Sequence, residues 1–271
     1  MTLIEALVLG LVQGLTEFLP ISSSGHLVIV PALLGWTKPP VAFDVLLHSA
    51  SLMAVLIYFR REAAEVLQGL VRPGSPRRFI WLMVVGTIPA ALIGYFLESQ
   101  ISEVFGEPTT VAILLVFTAT ILASSETYAR YRKGKVSEVA IRPSVSELAQ
   151  ALSFPKAFAV GCAQALAILP GVSRSGSTIG AGLFAGLSRP QAARFSFMLA
   201  APILIGTSIY KIPDLSGSGI GAGAIIVGFV AGLISSYAAV AGMIGYLQKR
   251  GLYPFAVYCL VVGILLAVLW R

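Results

Sequence analysis

Apolar runs long enough to cross a bilayer recur along the whole 271-residue chain, at 41–59, 79–97, 109–124, 191–210, 219–247 and 254–270. A transmembrane helix needs about 20 mostly apolar residues, within a range of about 17–25. Runs spread over the full length exclude a soluble domain held by one anchor. The composition agrees: 57% of residues are hydrophobic and only 11% charged, against about 25% charged in soluble domains. The mean hydropathy is +0.88. The chain therefore reads as an all-α polytopic membrane protein, one integral membrane domain over 1–271. The start, Met-Thr-Leu-Ile-Glu, lacks a basic stretch and a small-residue cleavage site, so no removable signal peptide is expected. Cys162 and Cys259 lie in apolar segments without metal-ligand spacing and are expected as buried small hydrophobes. The net charge of +7 sits in the loops, which fits membrane orientation and anionic lipid, not nucleic acid.

Two regions do not fit a simple span. Residues 3–19 carry Gln13 and Glu17, break at Pro20 and a Ser-Gly run, and resume for about ten apolar residues at 27–36. Residues 157–169 likewise end at Pro170-Gly171 and resume at 178–187. Paired short half-helices with a Pro/Gly break mark re-entrant hairpins. Loop charge gives the orientation. Segment 60–78 holds Arg60, Arg61, Arg72, Arg77 and Arg78, and 125–156 holds Arg130, Arg132, Lys133, Lys135, Arg142 and Lys156. Segment 248–253 adds Lys249 and Arg250, while 98–108 has three glutamates and no Lys or Arg. The first three are cytoplasmic and the last external, so the hairpins enter from opposite faces. A gap-free offset of 151 residues pairs Gln13 with Gln164, Ser22 with Ser173, Ser24 with Ser175, Gly25 with Gly176 and Pro39 with Pro190. The expectation is an inverted-topology repeat with about six transmembrane helices and two re-entrant hairpins meeting near the midplane. Repeat 1 covers about 1–124 with hairpin 3–36, a cytoplasmic linker about 125–156, and repeat 2 about 157–271 with hairpin 157–187.

The hairpin breaks hold the chemistry. Arg174, between Ser173 and Ser175, stays charged and requires an anionic partner inside the membrane. That partner is either Glu17 on the facing hairpin, in a structural ion pair, or phosphate oxygens, with Ser173, Ser175, Ser177 and Thr178 as surrounding donors. Gly171 and Gly176 are expected to let backbone approach an anion at the start of a half-helix near Ser177. Gln13 and Glu17, four residues apart, share a helix face and suit a divalent cation; Glu17 alternatively serves as a general base, or both simply pack between hairpins. Ser22, Ser23, Ser24 and His26 suggest an activated serine or an attacking histidine, or serines satisfying backbone. Asp44 and His48 are assigned a supporting role behind the site, and Arg194 is expected to snorkel to the interface. Glycines in 219–247 are expected to serve close helix packing.

Together these clusters resemble the bacterial undecaprenyl-diphosphate phosphatase family, also called the bacitracin-resistance family. Its first signature, Glu/Gln-x-x-x-Glu, is met by Gln13 to Glu17 and runs into Phe18-Leu-Pro-Ile-Ser-Ser-Ser-Gly-His26. Its second, Pro-Gly-x-Ser-Arg-Ser-x-x-Thr, is met by Pro170 to Thr178 without departure. The resemblance implies hydrolysis of a C55 isoprenyl diphosphate to the monophosphate, aided by Mg2+ or Ca2+, recycling the lipid carrier for peptidoglycan and other envelope polymers. It implies functional positions at Glu17, Ser23, His26, Arg174 and Thr178, with Gln13, Ser22, Ser173 and Ser175 around them. Many members have Glu where this chain has Gln13, which argues against position 13 as an obligatory charged ligand. Ser23 is expected to attack, with His26 taking its proton or attacking itself, water attacking without a covalent intermediate being the third alternative, and Arg174 neutralises the phosphoryl group. The implied setting is the bacterial plasma membrane, with the site open to the external side and the bilayer and undecaprenyl diphosphate as partners; the sequence leaves open whether the chain also forms a homodimer. The rival reading is a lipid-phosphate transporter built on the same inverted repeat. An acid-phosphatase-like lipid phosphatase fails, because His48 has Leu52 where that family needs Asp.

Overall fold

The computed structural model describes residues 1–71, 73–105, 107–132 and 143–270, without the side chains of 98–105. Arg72, Lys133, Lys135, Arg142 and the side chains of Glu98 and Glu103, used above to orient the loops, lie outside the described residues. All regular structure among the described residues is helical. The helices are α1 (Leu3–Phe18), α2 (Ser23–Leu34), α3 (Val41–Tyr58), α4 (Arg60–Val71), α5 (Ser75–Phe105) and α6 (Pro108–Arg132). They continue with α7 (Val145–Ala151), α8 (Phe154–Leu166), α9 (Arg174–Phe184), α10 (Arg189–Lys211), α11 (Ala222–Lys249) and α12 (Tyr253–Leu269). A 3-10 turn at Ile212–Gly217 follows α10. Five helices are long and apolar enough to cross a membrane: α3, α5, α6, α10 and α11. The sixth expected span is α12, whose 17 residues extend about 25 Å at about 1.5 Å per residue, the lower end of what a bilayer requires.

Both expected breaks are present, but the helices resume earlier than their apolar content indicates. After α1, Leu19 turns extended and Pro20 supplies no N–H. The second half starts at Ser23 because Ser22 caps it, its Oγ accepting the Gly25 N–H at 3.3 Å. Likewise α9 starts at Arg174, not near Ser177, because Ser173 Oγ accepts the Gly176 N–H at 3.0 Å. Ser23, His26, Arg174 and Ser175 therefore sit on the first turns of helices, where the backbone fixes their directions. Ser22 is the one non-glycine residue with positive φ among the described residues, at 70°.

Small residues seat the broken helices. A Cβ on Gly14 of α1 would stand 2.6 Å from Gly232 O and Ser236 N of α11. On α8, a Cβ at Gly161 would stand 3.0 Å from the Gly86 Cα of α5. Such close approach is how helices associate without a hydrophobic drive between them. The first break is also held from within, where Phe18 meets the edge of Phe197 at 5.1 Å between ring centroids.

Two ion-pair centres brace the bundle. Arg194 does not snorkel: it is 5% exposed, pairs with Glu62 of α4 and lies 5.2 Å from the Phe59 ring centroid. The carboxylate in reach of its guanidinium makes burial cheaper than extension to an interface. Glu126 of α6 is fully buried and accepts from Arg189 Nε at 2.9 Å, Arg130 Nε at 2.8 Å and the Leu252 N–H at 3.2 Å. That one carboxylate ties α6, α10 and the start of α12. Of the cysteines, Cys259 is buried as expected, whereas Cys162 is exposed. It shares the outward face of α8 with the exposed Phe158 and Leu166, a face that needs no polarity when its surroundings are lipid.

Candidate active site

Glu17 is the centre of the polar cluster. It occupies the last turn of α1, is 5% exposed, and uses both oxygens. Oε1 accepts from Arg174 NH2 at 2.8 Å. Oε2 accepts from Ser23 Oγ at 2.5 Å and from Gln13 Nε2 at 2.9 Å. His48 Nε2 of α3 lies 3.6 Å from the same oxygen. Gln13 is steadied by Ser51 at 3.5 Å, and Ser51 by Ser236 at 2.8 Å. The two broken helix pairs thus meet through one charge-assisted chain, Ser23–Glu17–Arg174. An ionised pair in a buried setting is stable only when its remaining hydrogen-bonding capacity is filled. Here Ser23, Gln13 and the Ser196 carbonyl, which accepts from Arg174 NH1 at 3.3 Å, fill it. Arg174 keeps 15% of its side chain exposed against 3% for Glu17, so the cation is the member that an incoming anion meets first.

The expected Ser23–His26 pair is not formed. His26 Nδ1 lies 2.7 Å from the Ser22 carbonyl, and Nε2 lies 2.8 Å from the Tyr258 hydroxyl of α12. The basic group in contact with Ser23 is Glu17. The expected ring of free hydroxyl donors also differs. Ser175 Oγ donates to the Leu19 carbonyl at 3.1 Å, and Thr178 Oγ1 donates to the Arg174 carbonyl at 2.7 Å and lies 2.5 Å from Ser196 Oγ. Ser22 and Ser173 are helix caps. Ser177 Oγ is buried without a partner. Gly171 has φ 103°, and a Cβ there would stand 2.6 Å from Val111 O. Its lack of a side chain serves the turn and the contact with α6, and the Gly176 N–H is taken by Ser173. Gly25 likewise sits inside α2, where a Cβ would stand 3.1 Å from Val111 Cγ1 of α6.

His48 and Tyr258 are the members of this neighbourhood that sequence reasoning undervalued or missed. The i, i+4 spacing of Asp44 and His48 is a signal for the first, and the structure adds a 2.7 Å contact from His48 Nδ1 to the Asp44 carbonyl. No signal pointed to Tyr258.

No group of three or more His, Cys, Asp or Glu side chains suited to a metal exists among the described residues. Gln13 Oε1 is, however, buried with no partner, next to the Glu17 carboxylate. One carboxylate and one amide oxygen fit a hard cation that completes its shell with substrate phosphates and water, the habit of Mg2+. They do not fit a cage made of protein alone.

Fold and site together define a helical integral-membrane protein that keeps a neutralised ionic centre inside its bundle. Comparison with known proteins narrows this. Residues 6–265 match the family model described as Bacitracin resistance protein BacA, and the chain belongs to that family. It is 40% identical to the undecaprenyl-diphosphatase of Elusimicrobium minutum over 270 residues, covering 99% of this chain and 98% of that one. It is 40% identical to the protein of the same name from Mycobacterium avium, covering 96% and 94%. The undecaprenyl-diphosphatase of Methanosphaera stadtmanae is 36% identical over 284 residues, with 98% of each chain covered.

Proposed function

We infer that this chain is an enzyme that hydrolyses undecaprenyl diphosphate to undecaprenyl phosphate and inorganic phosphate. Its activity returns the lipid carrier to peptidoglycan and envelope-polymer synthesis and confers bacitracin resistance. The observation that carries the reading is the Ser23–Glu17–Arg174 chain joining the two broken helix pairs, in a family whose relatives bear that enzymatic name.

The chemistry follows from the contacts. Arg174 exchanges its Glu17 partner for the terminal phosphoryl oxygens, neutralising charge that grows as the bond to the leaving phosphate lengthens. Released on one side, Glu17 takes the Ser23 proton through the 2.5 Å contact, and Ser23 Oγ attacks the terminal phosphorus in line. The phosphoanhydride bond breaks and undecaprenyl phosphate leaves. Water then attacks the phosphoserine; its proton goes to His26, the Ser23–phosphorus bond breaks, and Ser23 Oγ recovers its proton from Glu17. Ser22, Ser173, Ser175 and Thr178 hold the two helix starts in register around the phosphoryl group, and Gly171 and Gly176 fit their turns. Gln13 and Glu17 would hold a divalent cation, Mg2+ or Ca2+, which supplies charge neutralisation on the diphosphate when bound.

The same reading takes the chain as an inverted-topology repeat, 1–124 and 157–271, with re-entrant hairpins 3–36 and 157–187. Local geometry supports it. Ser22 Oγ lies 3.4 Å from Ser24 Oγ, and Ser173 Oγ lies 3.3 Å from Ser175 Oγ, each serine capping a helix through a glycine N–H. With Arg60, Arg61, Arg77 and Arg78 on the cytoplasmic side of the plasma membrane, the site opens externally.

The test is phosphate release from undecaprenyl diphosphate by purified protein in detergent, for wild type, Arg174→Ala and Ser23→Ala, each with and without EDTA. Release by wild type that collapses in both variants while they stay folded supports the enzyme. No release under any metal condition moves the reading to lipid-phosphate transport.

A further inference from the structure

The placement of His26 has a consequence that its family position does not supply. Both of its ring nitrogens are engaged. Nδ1 faces the Ser22 carbonyl at 2.7 Å, and a carbonyl only accepts, so Nδ1 carries the hydrogen. In the neutral ring this leaves the lone pair on Nε2, where the Tyr258 hydroxyl stands at 2.8 Å and donates to it. The rings are also stacked, 14° from parallel with centroids 5.8 Å apart, so the contact is held by two surfaces and not by one rotatable hydroxyl. Its setting is equally fixed. The next residue of α12, Cys259, is fully buried with Sγ 3.7 Å from the Pro20 carbonyl. Two consecutive residues of α12 therefore grip both sides of the break between α1 and α2.

Resting on the assignment of His26 to proton handling, we propose that Tyr258 is the group through which His26 exchanges its proton with the reacting water. A tyrosine hydroxyl both donates and accepts, which makes the transfer balance. As the water attacks the phosphoserine, its proton passes to Tyr258 Oη and the Tyr258 proton passes to His26 Nε2. The new oxygen–phosphorus bond forms, the bond to Ser23 Oγ breaks, and Glu17 returns its proton to Ser23. The imidazolium then donates from Nε2 to the hydroxyl that previously donated to it. The pair stays hydrogen-bonded throughout, and no buried N–H is orphaned on the way. Tyr258 remains 39% exposed.

The experiment compares Tyr258→Phe, His26→Ala and the double variant for steady-state phosphate release and for the pre-steady-state burst of undecaprenyl phosphate. Tyr237→Phe, an exposed tyrosine of α11 that meets Tyr58 edge-on at 5.9 Å, is the control and keeps wild-type rates. General acid–base groups contribute about 10²–10⁴-fold. Tyr258→Phe is expected to lower kcat by about 100-fold and KM in proportion, leaving kcat/KM within about threefold of wild type because only phosphoserine hydrolysis is slowed, and the double variant to be no slower than the slower single. The undecaprenyl phosphate burst keeps its amplitude of one per enzyme while phosphate release slows, whereas misfolding would shrink both. The proposal is overturned if Tyr258→Phe retains wild-type kcat, if the two losses multiply, or if the burst falls with the release. Full activity of His26→Ala would instead remove the assignment of His26, and the relay with it.

Discussion

Replacing Arg174 by alanine damages stability and catalysis through different terms, and a second substitution separates them. At 2.8 Å between Arg174 NH2 and Glu17 Oε1, the pair's Coulomb attraction is about 6 kcal/mol at an effective dielectric of about 20. Part of that offsets desolvation, so the measured cost of stranding Glu17 falls to about 3–5 kcal/mol. At about 2–4 °C per kcal/mol for chains of comparable size, the thermal midpoint of Arg174→Ala drops by roughly 6–20 °C. Adding Glu17→Gln removes the stranded charge and leaves an amide that still accepts from Ser23, so most of the midpoint returns. Activity does not return, because the phosphoryl clamp, about 10³–10⁵ in kcat, is gone in both variants and the double variant also lacks the carboxylate that takes the Ser23 proton. The assay is a melting curve in detergent beside phosphate release on the same preparations. A midpoint within 2 °C of wild type for Arg174→Ala, or a double variant less stable than the single, would refute the argument that this ion pair holds the two broken helix pairs together.

Ser23→Ala removes the nucleophile and one of the two hydrogen bonds to Glu17 Oε2; phosphate release should fall at least about 10³-fold, and losing a bond to a buried carboxylate, about 1.5–3 kcal/mol, should lower the melting midpoint by roughly 3–12 °C. Gly14→Val drives side-chain atoms into the Gly232 carbonyl and the Ser236 N–H. It should cost about 1–3 kcal/mol and reduce kcat too, since Glu17 rides one turn further along α1; a melting curve and a rate measurement on one sample check both. Glu126→Gln weakens the node that joins α6, α10 and α12. Arg189, mostly buried, should dominate the loss and Arg130, whose side chain is 58% exposed, should add little, which a comparison with Arg189→Gln and Arg130→Gln midpoints tests.

The spans were legible because lipid imposes one rule on every residue of a long helix, and apolar runs such as 41–59 and 191–210 carry it openly. Pro20 and Pro170 announced the breaks for an equally local reason. Where the second halves begin was misjudged, because helix starts are decided by capping. Ser173 reads as a phosphate donor and Ser22 as either chemistry or a serine satisfying backbone, and the oxygens of both accept from glycine N–H groups. The Glu17–Arg174 pairing was one of two alternatives in the sequence, since an intramembrane arginine needs an anion. Arg194 followed the same logic, but its partner, Glu62 on α4, lay in a segment read only for its basic loop residues. Contacts between distant segments stayed hidden: nothing near Tyr258 points to His26, and nothing near Ser236 points to Ser51.

The seating of the broken helices sets a problem for biogenesis. Gly14 of α1 is shaped to lie against Gly232 and Ser236 of α11, and Glu17 is neutralised by Arg174 of α9. When α1 leaves the ribosome neither surface has been made. A short helix that carries Gln13 and Glu17 among apolar residues must therefore wait, near the translocon or at the headgroups, until most of the chain has been inserted. The second pair of half-helices faces no such delay on its seat, because Gly161 of α8 docks on Gly86 of α5, which is synthesised before it. Assembly is then ordered by the direction of synthesis, with α8 and α9 docking as they emerge and the first pair closing onto them last.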